Sequence, residues 1–327
     1  MNKISWVVIG VGLLSLIVYF STGNNAKVGE VVEQITSPTY DEVSIQAFSK
    51  RQFTGSDFTV GRVLETHSTY TRYFVTYKSE DLTISGIMNK PNGDGPFPVL
   101  ILNHGHIDTS VYTNGRGLRR EQDFFARNGY VVVHPDYRNH AQSDKDETTD
   151  GGDFRFGYTT DVINAVNALK AAELSYIDTN RVGMLGHSMG GGITEIILVS
   201  QPNLVDAAVL YAPVSGDVVD NFNKWTRPRM EISSTILEQY GEPEDNPKFW
   251  SDLSPISFVD KIRVPVMVQQ GTLDDSCPIE WADKFVSALE GADKEVDYRV
   301  YEGERHEFSF MWSEFMNSSL EFFNKNV

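Results

Sequence analysis

The stretch VGMLGHSMGGG, residues 182–192, places Ser188 two residues after one glycine and two before another, directly behind an apolar run. A serine hydroxyl is a weak nucleophile until a base takes its proton and a third group orients that base. The spacing G-x-S-x-G suits a sharp turn from strand to helix that exposes the hydroxyl at the strand's end. RVGMLGHS reads as the strand and MGGGITEIILVSQP as the helix, so Ser188 stands where such a turn belongs. Side chains at positions 186 and 190 would clash in that turn, and Gly191 and Gly192 let the helix stay close.

Enzymes with a nucleophile on this kind of turn carry the acid, and then the histidine, later in the chain. Of seven histidines, His306 in YEGERHEF is the one beyond Ser188. VMVQQGTLDDSCP offers Asp274 and Asp275 directly after a strand candidate, with Asp274 preferred as nearer the strand end and Asp275 as the alternate. A carboxylate there would orient the imidazole and stabilise its charged form. Acyl transfer also needs donors for the developing oxyanion. The backbone N–H of Met189 is one candidate, and that of His106 after VLILNHG is the other, with Ile107 in reserve. His67, His104 and His134 read as structural and His187 as packed within the turn, while His140 sits in an uninformative loop.

The elements that must hold these groups alternate. FPVLILNHG, YVVVHPDYR, RVGMLGHS, VDAAVLYAP, VPVMVQQG and VDYRVYEG are short, mostly apolar strand candidates separated by helical spacing. That pattern predicts parallel βαβ units, hence an α/β chain with a mostly parallel, doubly wound sheet covered by helices on both faces. Ahead of them, THSTYTRYFVTYKSEDLTISGIMNKP alternates like two paired strands that bend at SED. The alternation breaks at about residues 214–255, read as a small insertion over the C-terminal edge of the sheet, where ligands bind in such folds. Its aromatics Phe222, Trp225 and Trp250 are the candidate pocket wall.

The net charge of −17 excludes a nucleic-acid binder, since phosphate contacts need clustered Lys and Arg. The lone cysteine, Cys277, excludes an intrachain disulfide and a zinc site built on cysteines, and no metal or cofactor is expected. Ile4 to Phe20 is free of charge, with Lys3 on its short N-terminal side. This reads as an uncleaved membrane anchor or a signal segment, with the folded part extracytoplasmic. Residues 1–23 are then the anchor or signal, 24–67 a tether and N-terminal extension, and 68–327 the domain that carries the chemistry.

NHG, DYRNHAQSD, GHSMGG, SPISFVDKIRVPVMVQQGTLDDSCP and YEGERHEF together resemble the α/β-hydrolase superfamily. More narrowly they are similar to the catalytic domain of prolyl-oligopeptidase-like serine hydrolases, including acylaminoacyl-peptidase relatives. YGEPEDNPKFWSDLSPISFVDKIRVPV is the most specific stretch, and the resemblance covers about residues 75–327. It implies an α/β-hydrolase fold and a triad on Ser188, Asp274 and His306. The chain departs from the pattern at DYRNHAQSD, where the family usually shows a glycine-rich turn, and at Cys277, where many members carry valine. The family's peptidases carry a β-propeller before this domain, and fewer than 60 residues separate the apolar run from the first expected strand. No propeller fits there, so the expectation is hydrolysis of a small-molecule carboxylic ester, with short-peptide cleavage as the alternative.

Overall fold

The computed structural model describes residues 43–146 and 154–327. The apolar run Ile4–Phe20 and the centre of the acidic loop, 147–153, lie outside them. Among the described residues no helix is long and apolar enough to cross a membrane.

Five short strands make the centre of the sheet: β4 (Phe97–Asn103), β5 (Val131–Pro135), β6 (Ile177–His187), β7 (Ala207–Tyr211) and β8 (Val266–Gly271). Toward their C-terminal ends every residue is buried, which explains apolar runs without alternation. They pair in parallel, and β9 (Val296–Tyr301) joins beside β8. An antiparallel wing of β1 (Ser56–Thr66), β2 (Tyr70–Ser79) and β3 (Leu82–Pro91) attaches to β5. The nine described strands run in the order β1-β2-β3-β5-β4-β6-β7-β8-β9. The expected hairpin forms, with Ser79 facing Leu82 across Glu80-Asp81 and Glu80 left-handed at φ 55°.

Helices cover both faces. α1 (Ile45–Ser49), α3 (Phe156–Ala171), α4 (Met189–Ser200) and α8 (Ile279–Gly291) lie on one, where Phe48, Val166, Ile193 and Phe285 pack with Ile101 and Met184. α2 (Arg119–Arg127) and α9 (Trp312–Asn326) lie on the other, where Phe125, Phe315 and Phe323 pack with Leu100 and Leu185. Leu100 and Ile101 enter different cores because successive side chains of a strand point to opposite faces.

The sheet begins earlier than expected. β1 lies inside the segment read as an extension, and α1 sinks Ile45 and Phe48 into the main core. β1 hides from pattern reading because it is an edge strand: Phe58 is its one buried side chain, and three register shifts interrupt its pairing with β2. Between β7 and β8 the insertion is helical, with α5 (Val218–Asn221), α6 (Met230–Tyr240) and α7 (Pro247–Leu253).

Candidate active site

β6 ends at His187 and α4 starts at Met189, so Ser188 alone makes the turn, at φ 56° and ψ −121°. Its N–H donates to the Tyr211 carbonyl at 3.1 Å. Its carbonyl accepts from the N–H groups of Gly191, Gly192 and Val214 at 2.9, 3.3 and 3.1 Å. Glycine is obligatory on both sides, because a Cβ on Gly186 would overlap the Gly190 carbonyl and one on Gly190 would overlap that of Asn103. The first N–H groups of a helix have no acceptor inside it. That leaves the Met189 N–H beside Ser188 for an incoming oxyanion.

The loop after β4 comes up against the nucleophile: a Cβ on Gly105 would stand 3.0 Å from that of Ser188. His106 follows, exposed. Behind it His104 is fully buried, stacked on Tyr137 at 4.2 Å and Tyr112 at 4.9 Å, with Nδ1 against the Gly105 carbonyl at 2.7 Å. Burial lowers the His104 pKa to about 3, so the ring stays neutral. His140, uninformative in the sequence, meets the Arg138 carbonyl at 2.9 Å and also bonds the backbone of Ile107. The DYRNHAQSD segment therefore braces the loop that carries His106.

Asp274 follows β8 and is buried. Its Oδ2 accepts from His306 Nδ1 at 2.9 Å and from Gln270 Nε2 at 3.0 Å. Its Oδ1 accepts from the N–H groups of Ser276 and Cys277, each at 2.8 Å. Burial pushes this carboxyl's pKa up, but the His306 ring, the Cys277 amide and Gln270 outweigh it and hold it below the usual range. With Nδ1–H engaged, a neutral His306 keeps its lone pair on Nε2, ready to take a proton. Asp275 faces away: its side chain is 91% exposed and pairs with Arg305 at 3.2 Å.

Two supports escaped the sequence reading. Gln270 holds Asp274 and also donates to the Cys277 carbonyl at 2.9 Å. His187 places Nε2 3.1 Å from the His306 carbonyl, its ring centre 4.7 Å from that of His306. Burial, aided by the neighbouring His306, lowers the His187 pKa to about 3. A neutral ring facing a carbonyl carries its proton on that nitrogen. A glutamine pair inside the apolar strand VMVQQG was the available signal for Gln270. The Cys277 thiol is buried beside the Ser188 hydroxyl, and burial, then Asp274, pushes its pKa up.

The expected aromatic wall divides. Trp225 is 41% exposed, but Phe222 and Trp250 are 2% and 1% exposed and pack against one another, tilted, with ring centres 4.7 Å apart. With Tyr240 and Phe249 they form the core of the insertion rather than a surface a substrate could touch.

These groups all sit at the C-terminal ends of parallel strands, where open α/β sheets place their sites. Residues 116–327 match the prolyl oligopeptidase family. The uncharacterized peptidase YuxL of Bacillus subtilis is 27% identical over 276 residues, covering 80% of this chain and 38% of its own length. The acylaminoacyl peptidase of Pyrococcus horikoshii superposes with a TM-score of 0.65 at 20% identity, over 80% of this chain and 42% of that one. An acetyl xylan esterase from a Paenibacillus species gives 0.65 at 17% identity, over 88% and 93% of the two chains. At such identities the two structures speak for the fold alone, and this chain spans about two fifths of the curated relative's length. The family match, by contrast, takes in Ser188, Asp274 and His306 together, and the chain belongs to the prolyl oligopeptidase family, with an α/β-hydrolase fold.

Proposed function

We propose that this chain hydrolyses carboxylic esters through an acyl-enzyme. Ser188 attacks the ester carbonyl while His306 Nε2 takes its proton, and Asp274 holds the ring and steadies its charge. The N–H groups of Met189 and His106 receive the oxyanion. His306 then protonates the departing alcohol, and water, activated the same way, frees the acid. The observation that carries this reading is the buried Asp274 bound to His306 Nδ1 at 2.9 Å, next to a serine on a strand-to-helix turn.

The preference for esters rests on the mouth of the site. Of seven exposed large apolar side chains among the described residues, five lie in the connections that follow β4, β7, β8 and β9: Val111, Trp225 and Met230 (both in the helical insertion), Leu273 and Phe310. Such a rim favours an apolar acyl or alcohol group. The fold likeness to an esterase over nearly all of both chains agrees with it. The names of the curated relatives favour peptide cleavage as the second reading. The apolar run Ile4–Phe20 supports an extracytoplasmic enzyme held at, or exported across, a membrane.

The test uses the full chain in detergent and its Ser188→Ala variant, with p-nitrophenyl esters of increasing acyl length beside aminoacyl p-nitroanilides. Ester turnover that disappears with Ser188, the anilides staying intact, is the expected result. Efficient anilide cleavage overturns the ester preference in favour of the peptidase reading.

A further inference from the structure

Cys277 lies three residues after Asp274 in the turn between β8 and α8, and its side chain is 1% exposed. Its sulfur, a carboxylate oxygen of Asp274 and a ring nitrogen of His306 all lie within 4.8 Å of one another. Zinc bonds of about 2.3 Å to sulfur and about 2.0–2.2 Å to nitrogen and oxygen put tetrahedral donors about 3.3–3.7 Å apart. The farthest-spaced of these atoms would close by about 1 Å to enclose such an ion, while Asp274 and His306, in contact at 2.9 Å, would open by a few tenths of an ångström. His306, the one of the three with an accessible ring, can supply that movement by side-chain rotation. A single cysteine forbids a zinc site made of thiols, but one thiol, one imidazole and one carboxylate form a mixed donor set that suits the same metal.

The geometry points to an inhibitory site for zinc, or a similarly thiophilic divalent cation, on Asp274, Cys277 and His306. It rests on the reading of Asp274 and His306 as the pair that activates Ser188. Binding breaks the Cys277 S–H bond, forms a sulfur–metal bond and releases the proton to solvent, with no change of oxidation state. Where the ion takes His306 Nδ1, the ring proton passes to Nε2 and the lone pair that accepts the Ser188 proton is lost; where it takes Nε2, that lone pair is occupied, and proton transfer stops in both cases. The Ser188 hydroxyl lies beside the same thiol, so the ion would sit next to the nucleophile. Asp274 already accepts four hydrogen bonds, so the metal must compete with them. That competition suits a reversible inhibitor rather than a resident ion. Hard cations such as magnesium, which favour oxygen cages, have little to gain here.

The experiment takes the full chain in detergent, stripped with a chelator, alongside Cys277→Val and Cys277→Ser. Cobalt(II) is titrated first, and the sulfur-to-metal charge-transfer band is followed in the near ultraviolet. Zinc and magnesium are then titrated against p-nitrophenyl acetate turnover, expressed within each protein as the rate with metal over the rate without. The intact chain should show the cobalt band and zinc inhibition reversed by chelator, with magnesium inert. Both variants should lose the band and need at least about tenfold more zinc for half-inhibition. Zinc inhibition that is unchanged in a folded Cys277→Ser protein, or a cobalt titration without the band, overturns the site. If Cys277→Val does not fold, the serine variant keeps the size while removing the thiolate. Turnover without the band removes the metal site and leaves the triad standing. A band in a protein that cleaves no ester or anilide keeps the site and removes the triad.

Discussion

His187 Nε2 donates to the carbonyl of His306 at 3.1 Å, so the residue beside the nucleophile tethers the backbone of the residue that would accept its proton. The strand end at β6 and the loop after β9 are thereby tied at the point where Ser188 and His306 must meet. His187→Phe keeps a planar aromatic ring, slightly larger, and removes the tether. It should lower kcat by about tenfold to a hundredfold, in line with the cost of small misplacements at a reacting centre, with KM moving much less. Steady-state kinetics on p-nitrophenyl acetate checks this, and an unchanged kcat would show that His306 is held by other contacts.

Adjacent aspartates should behave unequally. Asp274→Asn removes the buried partner of His306 Nδ1, favours the wrong ring tautomer, and should cost about 10³–10⁴ in kcat. Asp275→Asn loses only an exposed pair with Arg305 and should leave kcat within roughly twofold. Equal losses in the two variants would sink the assignment.

Gly105→Ala tests how close the loop after β4 stands. The added methyl would meet the Ser188 Cβ at 3.0 Å and His187 Nδ1 at 3.3 Å, so loop or nucleophile must shift by a few tenths of an ångström. The expectation is a fall in kcat of about tenfold, from displaced oxyanion donors, with a melting temperature close to that of the parent. A full-rate variant would mean that this loop supplies no donor.

Two buried groups should show opposite pH signatures. His134 is fully buried, neither ring nitrogen has a hydrogen-bond partner among the described residues, and burial, then His104, drives its pKa far down. In the unfolded chain it takes a proton below about pH 6.5 and in the folded chain it does not, so acid favours unfolding. His134→Phe removes that penalty, and its stability advantage should widen as pH falls from about 7 to about 5, by up to about 1.4 kcal/mol per pH unit.

Glu195 on α4 is the reverse case. Both its carboxylate oxygens lack hydrogen-bond partners among the described residues, and burial drives its pKa far up. The unfolded chain gives up this proton above about pH 4.5 while the folded chain keeps it, so rising pH favours unfolding. The advantage of Glu195→Gln should therefore widen from about pH 5 to about pH 8. Melting curves across that range test both variants, and parallel curves for parent and variant would refute either one.

What could be read in advance follows how each residue meets solvent. β4 to β8 declare themselves because burial on both faces leaves short apolar runs that few other elements produce. β1 does not, since an exposed edge strand has no inner face to write into the sequence. Ser188 is legible because the glycines at 186 and 190 answer to backbone contacts that tolerate no Cβ. The DD pair could be ordered from distance to the strand end, but only the fold shows which carboxylate turns inward. Phe222 and Trp250 misled for a general reason: an aromatic cluster in an insertion serves equally as a wall or as that insertion's own core. His187 acts on a backbone atom 119 residues along the chain, which no local spacing encodes, and Gln270 acts within its own loop, where only the fold shows that its side chain turns toward Asp274.

Ser188 sits at φ 56° and ψ −121°, a region that side chains avoid and glycine enters freely. Holding a serine there costs about 1–3 kcal/mol. Ser188→Gly would relieve that strain, less about 0.5–1 kcal/mol for the greater freedom of the unfolded chain. The dead variant should thus melt no lower than the parent, and a lower melting temperature would count against strain at this turn. Selection for durability alone would erase the serine from this position, so its retention marks the place where the molecule trades robustness for chemistry.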